Sequence, residues 1–303
     1  MGKVARIADY RPKNSAQNLE DWREAFIEYL DSEERSDNTI ISYLSDLKGF
    51  VKWFMKSQEP FNPKLIMAVD LREYKRFLAP KCKPATINRK LSTLSVFLGW
   101  CKETGRIDTF PKIPKQVKEQ RQGIRWLSRT EQNALLRRVE CYGSPRDQGA
   151  LKLLLNTGLR VSELTALLWS DIQINERKGE LVVRSGKGSK RRVVPLNKDA
   201  RAALLLLGYE ENQGLSKLVV LGQRGQMTRR GIQSILEKYQ GDLDDFSCHS
   251  LRHTFCKNLV DAGVSLEKIA ALAGHDSLET TRRYCEPSPH DLAMAVELIG
   301  EED

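Results

Sequence analysis

Apolar residues recur every three or four positions through the first hundred residues, the spacing of helices that each turn one face to a core. From Leu19 onward, Trp22, Phe26, Tyr29 and Leu30 share a face. A second run follows Asp37 and Asn38 and puts Ile40, Tyr43, Leu44, Leu47, Val51 and Phe54 inward. A third, near 70–79, presents Leu71, Tyr74, Phe77 and Leu78. The fourth starts at Pro84, a favoured first-turn residue, and stops at Gly105. Its stripe is Ile87, Leu91, Leu94, Phe97 and Leu98, which leaves Thr86, Asn88, Arg89, Lys90 and Ser92 to face elsewhere. The pattern predicts a helical domain over 18–108, preceded by a polar, flexible arm at 1–17.

Residues 109–123 hold two prolines, many charges and no apolar repeat, and read as a linker. The second domain, 124–303, opens on Ser128 and Glu131, a helix cap and its capping-box partner. A helix over 147–156 leads to three strand-like stretches at 171–174, 181–184 and 191–196, with Gly179 and the run Gly186–Ser189 at the turns. Helices fill the remainder. Ser288 and Pro289 open a last one over 289–300, striped by Leu292, Ala295, Val296 and Ile299. The fold class expected is mainly α with a small antiparallel sheet, in two domains.

Composition narrows the function classes. The 303 residues are 40% hydrophobic and 29% charged, as in globular chains. No apolar run reaches the roughly 18 residues that span a bilayer, and the N-terminus lacks a signal-peptide core. The expected location is the cytoplasm, with no membrane partner. Six cysteines are scattered without a CxxC pair, and most of them read as reduced, packed thiols. Lys and Arg total 49 against 40 acids, a formal charge of +9 that suits a polyanionic partner.

Candidate chemistry sits in four segments of the second domain. In Asn156–Leu164, Gly158 ends one helix and Ser162 is expected to cap the next, holding Arg160 on a corner between them. Ser185–Lys190 is a glycine-flanked hairpin with Lys187 at its tip. In Cys248–Phe255, His249, Arg252 and His253 share a helix face. Ser250 stands where the zinc motif HExxH needs its glutamate, so this pair of histidines is not read as a metal site. Leu272–His275 is followed nine residues after His275 by Tyr284, with Ser277 capping the short helix between.

Taken in order, Arg160, Lys187, His249, Arg252, His275 and Tyr284 resemble the active-site set of the tyrosine recombinase family, which includes phage integrases and Xer recombinases. The surrounding words TGLRVSEL, GKGSKRRVVPL, HSLRHTF and LAGH match as well. The resemblance implies a four-helix core-binding domain joined to a mixed α/β catalytic domain. It implies a site-specific recombinase acting through a 3′-phosphotyrosyl intermediate and a Holliday junction. Its partners would be double-stranded DNA with inverted-repeat core sites and a homotetramer of this chain. In the same family the terminal helix docks on a neighbouring protomer.

The chemistry is coherent by itself. Phosphodiester attack passes through a crowded, highly anionic state that two arginines and a histidine can stabilise with N–H donors. A phenol with a pKa of about 10 needs a base and a cationic field to attack at neutral pH. His249 is the expected base, Lys187 the acid for the departing 5′ oxygen, and His275 a transition-state or orienting contact. The linkage conserves bond energy, so no cofactor, metal or ATP is expected. For DNA contact, Arg89 and Lys90 on the fourth helix, and Arg229, Arg230 and Gln233 on a helix from Thr228, are the candidates. His253 reads as a residue that packs or supports the catalytic ones from behind, Cys285 as a packed thiol and His290 as a helix-surface residue. Two rivals are a type IB topoisomerase-like relaxing enzyme and a DNA-binding accessory protein with a decayed site.

Overall fold

The computed structural model describes residues 17–56, 61–119, 123–184, 191–223, 225–243, 246–285 and 296–297. The expected arm at 1–17 (Gln17 apart), the turn 185–190 with Lys187, His290 and most of the terminal helix lie outside them. The chain forms two compact units, 1–121 and 122–303. Among the described residues no helix is long and apolar enough to cross a membrane.

The first unit contains α1 (Gln17–Ser32), α2 (Asp37–Phe54), α3 (Ala68–Leu78) and α4 (Pro84–Glu103). The apolar stripes meet as their spacing predicts: Phe26, Leu30, Ile40, Leu47, Leu71, Leu91, Leu94, Phe97 and Leu98 form one core. Aromatic rings interlock there, with Phe26 edge-on to Phe97 at 5.3 Å and Phe50 edge-on to Tyr74 at 5.0 Å.

One residue breaks the pattern. Asp46, at a polar position of α2, is only 3% exposed. Lys90 Nζ donates to it at 2.9 Å, Thr93 Oγ1 at 3.2 Å, and Arg89 Nη1 donates as well. A buried carboxylate needs such partners to remain ionised. The network ties α2 to α4 and engages both basic residues singled out on that helix.

Asn88 is also buried. Its side chain accepts from the Val117 N–H at 2.8 Å and donates to the Val117 carbonyl at 3.0 Å, pairing with backbone as a neighbouring strand would. Ile113 and Val117 pack on the first core. Much of the proline-containing stretch therefore runs along the first unit, not through solvent.

The second unit contains α5 (Arg129–Tyr142), α6 (Pro145–Thr157), α7 (Val161–Ala166), β1 (Ile172–Ile174), β2 (Gly179–Val183), β3 (Arg192–Pro195), α8 (Lys198–Leu206) and α9 (Tyr209–Asn212). These are followed by β4 (Leu221–Gly222), β5 (Gly225–Gln226), α10 (Arg229–Tyr239), α11 (Cys248–Asp261), α12 (Leu266–Ala273) and α13 (Leu278–Arg282). The three expected strands form one antiparallel sheet in the order β1-β2-β3, with Leu181 opposite both Ile172 and Val194. The β4–β5 hairpin was not expected, because two residues per strand carry no readable alternation. The main core gathers Leu135, Leu151, Leu154, Leu164, Leu181, Ile232, Leu236 and Leu251. A smaller cluster of Phe255, Cys256, Ile269, Ala273 and Tyr284 lies under the site described next. The fold is mainly helical with small antiparallel sheets, as the pattern predicts.

Two expectations need correction. Ser162 does not cap α7. The helix begins two residues earlier, Arg160 is the cap position, and Glu163 accepts the Arg160 N–H at 2.7 Å, so Ser162 is already in the first turn. Cys285, expected to be packed, is exposed, as is Cys141, while the other four cysteines are buried or half-buried. Each of the two exposed ones lies at the end of a helical segment, beyond the last turn that the core covers.

Candidate active site

Two glycine-ended breaks in the helices bring candidate residues together beside α11. Gly158 ends α6 with φ +63°, and a Cβ there would lie 2.3 Å from the Phe255 ring. Only glycine lets the chain turn this tightly against α11. Gly274 ends α12 with φ +68°, and a Cβ would press on the Arg192 guanidinium at 2.8 Å. The corner after Gly158 carries Arg160, and the corner after Gly274 carries His275.

Those corners are bonded to each other. Arg160 Nη2 donates to the Gly274 carbonyl at 2.7 Å, and Arg252 Nη1, from α11, donates to the Gly158 carbonyl at 2.6 Å. Glu163 organises the remainder. It accepts from Arg160 Nη1 at 2.9 Å and from both terminal nitrogens of Arg192 at 2.8 Å, while Arg192 Nε reaches the Leu272 carbonyl at 3.0 Å. Burial alone would raise the Glu163 pKa. Hydrogen bonds from Arg192 and from the Arg160 backbone outweigh that and hold it at about 2. Glu163 and Arg192 are thus the positioning residues that the sequence reading passed over. The signal available was a glutamate three residues after Arg160, which reads as an ordinary helix-start residue.

Arg252 is 2% exposed, and its Nη2 is one of the few buried side-chain atoms among the described residues with no hydrogen-bond partner. Burial, then the nearby Arg160, draws its pKa down to about 10, and it remains cationic at neutral pH. A buried guanidinium nitrogen without an acceptor is a strong pointer to an absent anion.

The Tyr284 ring, 1% exposed, is stacked on His275 with centroids 6.2 Å apart and planes 12° from parallel. His275 Nδ1 lies 2.9 Å from the Thr281 hydroxyl, which fixes the imidazole. The Tyr284 hydroxyl lies 2.6 Å from His253 Nδ1, and the His253 ring meets His249 edge-on at 4.4 Å. His253 was expected to pack or to support the site from behind, not to touch the nucleophile. Its role in the site was hidden because its partner is 31 residues away in sequence. A cavity of about 440 Å³ opens here, walled by His249, His253, Arg283, Tyr284 and Arg125.

Burial and then the field of neighbouring cations keep the histidines neutral. His249 lies below the ordinary imidazole range, depressed by burial, Arg252 and Arg160. His253 and His275 are each drawn down to about 4, first by burial. The Tyr284 phenol is pushed above its ordinary range, chiefly by burial and by Cys256 beside it. Arg160, His249, Arg252, His275 and Tyr284 therefore share one cationic, partly water-excluded site, and Lys187 lies outside the described residues. Among those residues no cluster of His, Cys, Asp or Glu is arranged to hold a metal ion.

The DNA-contact candidates are spread differently. Arg89 and Lys90 are joined to Asp46. On α10, Arg229 and Arg230 are exposed, Arg230 reaching Glu237 at 3.3 Å, while Gln233 accepts the Cys248 N–H at 3.2 Å and so braces the start of α11.

The depressed histidines set an acid limit on stability. In the unfolded chain they titrate near 6.5, and in the folded chain His253 and His275 titrate at about 4. A lowered folded pKa contributes stability that is complete above the unfolded value and is lost as pH falls toward the folded one. The unfolding free energy should therefore decline from about pH 6.5 toward pH 4, by up to about 1.4 kcal/mol per pH unit for each histidine, and the melting temperature should fall with it. Calorimetry in that window checks this, and a flat profile would show that the imidazoles are not held neutral.

Comparison with known proteins gives this site a lineage. Residues 125–290 match the profile described as the phage integrase family, and residues 24–105 match the phage integrase N-terminal SAM-like domain. The chain is 32% identical over 292 residues to tyrosine recombinase XerC of Leptospira interrogans, covering 90% of this chain and 91% of that protein. It is 27% identical over 294 residues to the TnP I resolvase of Bacillus thuringiensis, covering 90% and 98%. Among solved structures, a lambda integrase dimer bound to a COC′ core site aligns with a TM-score of 0.70 at 20% identity, over 88% of this chain and 94% of that one. XerH site-specific recombinase bound to a palindromic difH substrate aligns with a TM-score of 0.70 at 18% identity, over 96% and 98%. With both profiles matched in order, and with a 32% identical relative across nine-tenths of its length, the chain belongs to the phage integrase family of tyrosine recombinases.

Proposed function

We propose that this site-specific DNA recombinase cuts one strand by attack of the Tyr284 oxygen on a backbone phosphate, leaving a 3′-phosphotyrosyl bond and a free 5′ hydroxyl. The observation that carries this is the unpartnered, buried Arg252 Nη2 in the site that also holds the Tyr284 phenol. Arg252, Arg160 and His249 stabilise the charge that builds on the non-bridging oxygens. His275 holds the Tyr284 ring and donates within the same site. Lys187 protonates the departing 5′ oxygen, as its place in the family's motif order supports. The phosphotyrosyl bond conserves the energy of the broken linkage, and the 5′ hydroxyl of a partner strand attacks it, through a Holliday junction.

Arg89 and Lys90 in the first unit and Arg229, Arg230 and Gln233 in the second make further DNA contacts. The substrate is double-stranded DNA with inverted-repeat core sites, brought together by four copies of the chain in the cytoplasm. The XerH structure on palindromic difH and the lambda integrase dimer on its core site are the likenesses that support this. Recombinase and resolvase names among the relatives favour exchange of strands over relaxation alone.

The test is to map the protein-linked DNA ends on the DNA flanking the gene, then digest the trapped adduct and sequence the attached peptide. The expected peptide contains Tyr284 joined to a 3′ phosphate, and its yield should survive excess EDTA. A 5′ linkage, attachment to another residue, or loss of the adduct with chelator and its return with a divalent ion would overturn the reading.

A further inference from the structure

The base that accepts the tyrosine proton can be assigned from the imidazoles around the phenol. Three of them line this site, and their nitrogens are engaged differently. His275 has its Nδ1 at 2.9 Å from the Thr281 hydroxyl and offers Tyr284 a stacking face. His249 lies one helical turn before His253 on α11 and meets it edge-on, its ring centroid 4.4 Å away. Of the three imidazoles only His253 is bonded to the reacting atom, its Nδ1 lying 2.6 Å from the Tyr284 oxygen; the other side chain on that oxygen is the Cys256 thiol, whose own pKa burial raises. That separation is within the reach needed for direct proton transfer.

We propose that His253, and not His249, is the base that takes the proton from Tyr284. The assignment rests on the reading of Tyr284 as nucleophile. In the DNA-free chain the phenol donates its hydrogen to the lone pair on His253 Nδ1, so the proton of the other nitrogen sits on Nε2. During cleavage the phenol oxygen forms its bond to phosphorus while its proton moves to His253 Nδ1, giving an imidazolium. The bond from phosphorus to the 5′ oxygen breaks, and its electron pair leaves on that oxygen, which is protonated by the general acid, Lys187 in the reading above. In rejoining, the lysine amine takes the proton of the attacking 5′ hydroxyl, and the His253 imidazolium returns its proton to the departing phenolate. Charge and protons balance in both directions.

The surroundings make this base conditional on substrate. After burial, it is His249, Arg252, Arg283 and His275 that disfavour a proton on His253. A phosphodiester seated against Arg252 and Arg160 offsets that positive field, so the base strengthens only when the phosphate is in place. His249 is then left to contact the phosphate oxygens, which also agrees with its position on the cavity wall.

Asparagine at this position can keep a hydrogen bond near the place of Nδ1 but cannot carry the proton. On a nicked duplex carrying the mapped site, His253→Asn should bind DNA normally and form covalent adduct about 100-fold more slowly at pH 7. Replacing Tyr284 with 3,5-difluorotyrosine, whose phenol ionises far more readily, should restore most of that rate in His253→Asn and little of it in His249→Asn. Undiminished adduct in His253→Asn, rescue confined to His249→Asn, or no rescue in either overturns the assignment. If circular dichroism shows that His253→Asn does not fold, the imidazole ¹⁵N shifts of the unmodified full chain decide instead. An unprotonated Nδ1 that shifts on Tyr284→Phe supports the proposal, and an Nδ1–H overturns it. Adduct persisting in Tyr284→Phe would be a different failure, that of the nucleophile itself.

Discussion

Tyr284→Phe forms no covalent protein–DNA adduct, a loss of at least about 10⁴-fold, as expected when a nucleophile is deleted outright. The substitution removes one oxygen and leaves the ring in its cluster with Phe255, Ile269 and Ala273. Only the hydroxyl's bonds to His253 and to the Cys256 thiol disappear, at a cost of about 1 kcal/mol each. Stability and duplex affinity should therefore remain close to those of the unmodified protein. The measurement is a denaturing gel of a nicked duplex beside a gel-shift titration of the same batch. An adduct band in the variant would place the nucleophile elsewhere in the chain. Equal loss of binding and adduct would show that the hydroxyl is a structural group.

The second large effect is on Arg252, where activity and stability should part. Arg252→Met keeps most of the side-chain volume and removes the charge. Cleavage should fall about 10²- to 10³-fold, the usual consequence of removing a donor aimed at a developing anion. The DNA-free protein should melt no lower, and higher by about a degree or more. The physical reason is that the guanidinium is 2% exposed, has an unpartnered Nη2, and lies near the Arg160 cation that helps pull its pKa down. Against that stands one lost bond, to the Gly158 carbonyl. Scanning calorimetry and single-turnover cleavage decide it together. A marked drop in melting temperature would mean that Arg252 holds the two helix corners together more than it serves the phosphate.

What could be read in the sequence was whatever has a local period. The stripes of α2 and α4 were legible because their apolar residues repeat at helical spacing, and the glycine punctuation located the sheet. Buried polar residues were not, since burial depends on distant partners. Asp46 occupies a polar position of its helix and is enclosed only because Arg89, Lys90 and Thr93 come to it from 43 to 47 residues away. Glu163 reads as a first-turn acid until Arg192, 29 residues on, is folded against it. The catalytic candidates were legible in another way, through the order of Arg160, Lys187, His249, Arg252, His275 and Tyr284, which the family resemblance supplies. That resemblance says which residues to watch but not which nitrogen faces the phenol. The short β4–β5 hairpin escaped because a strand of two residues has no alternation to detect.

Asp46 also bears on any attempt to retarget this protein to a new sequence. Arg89 and Lys90, the first unit's DNA contacts in the reading proposed above, are anchored to the two oxygens of one enclosed carboxylate, so neither can be exchanged independently of the other. Removing Lys90 leaves Arg89 as the sole strong counter-ion, and removing Arg89 does the reverse. Libraries that vary the two positions separately should show strong epistasis, with paired changes departing from the sum of single ones. Selections that vary Asp46 together with them would reach solutions that one-at-a-time replacement cannot.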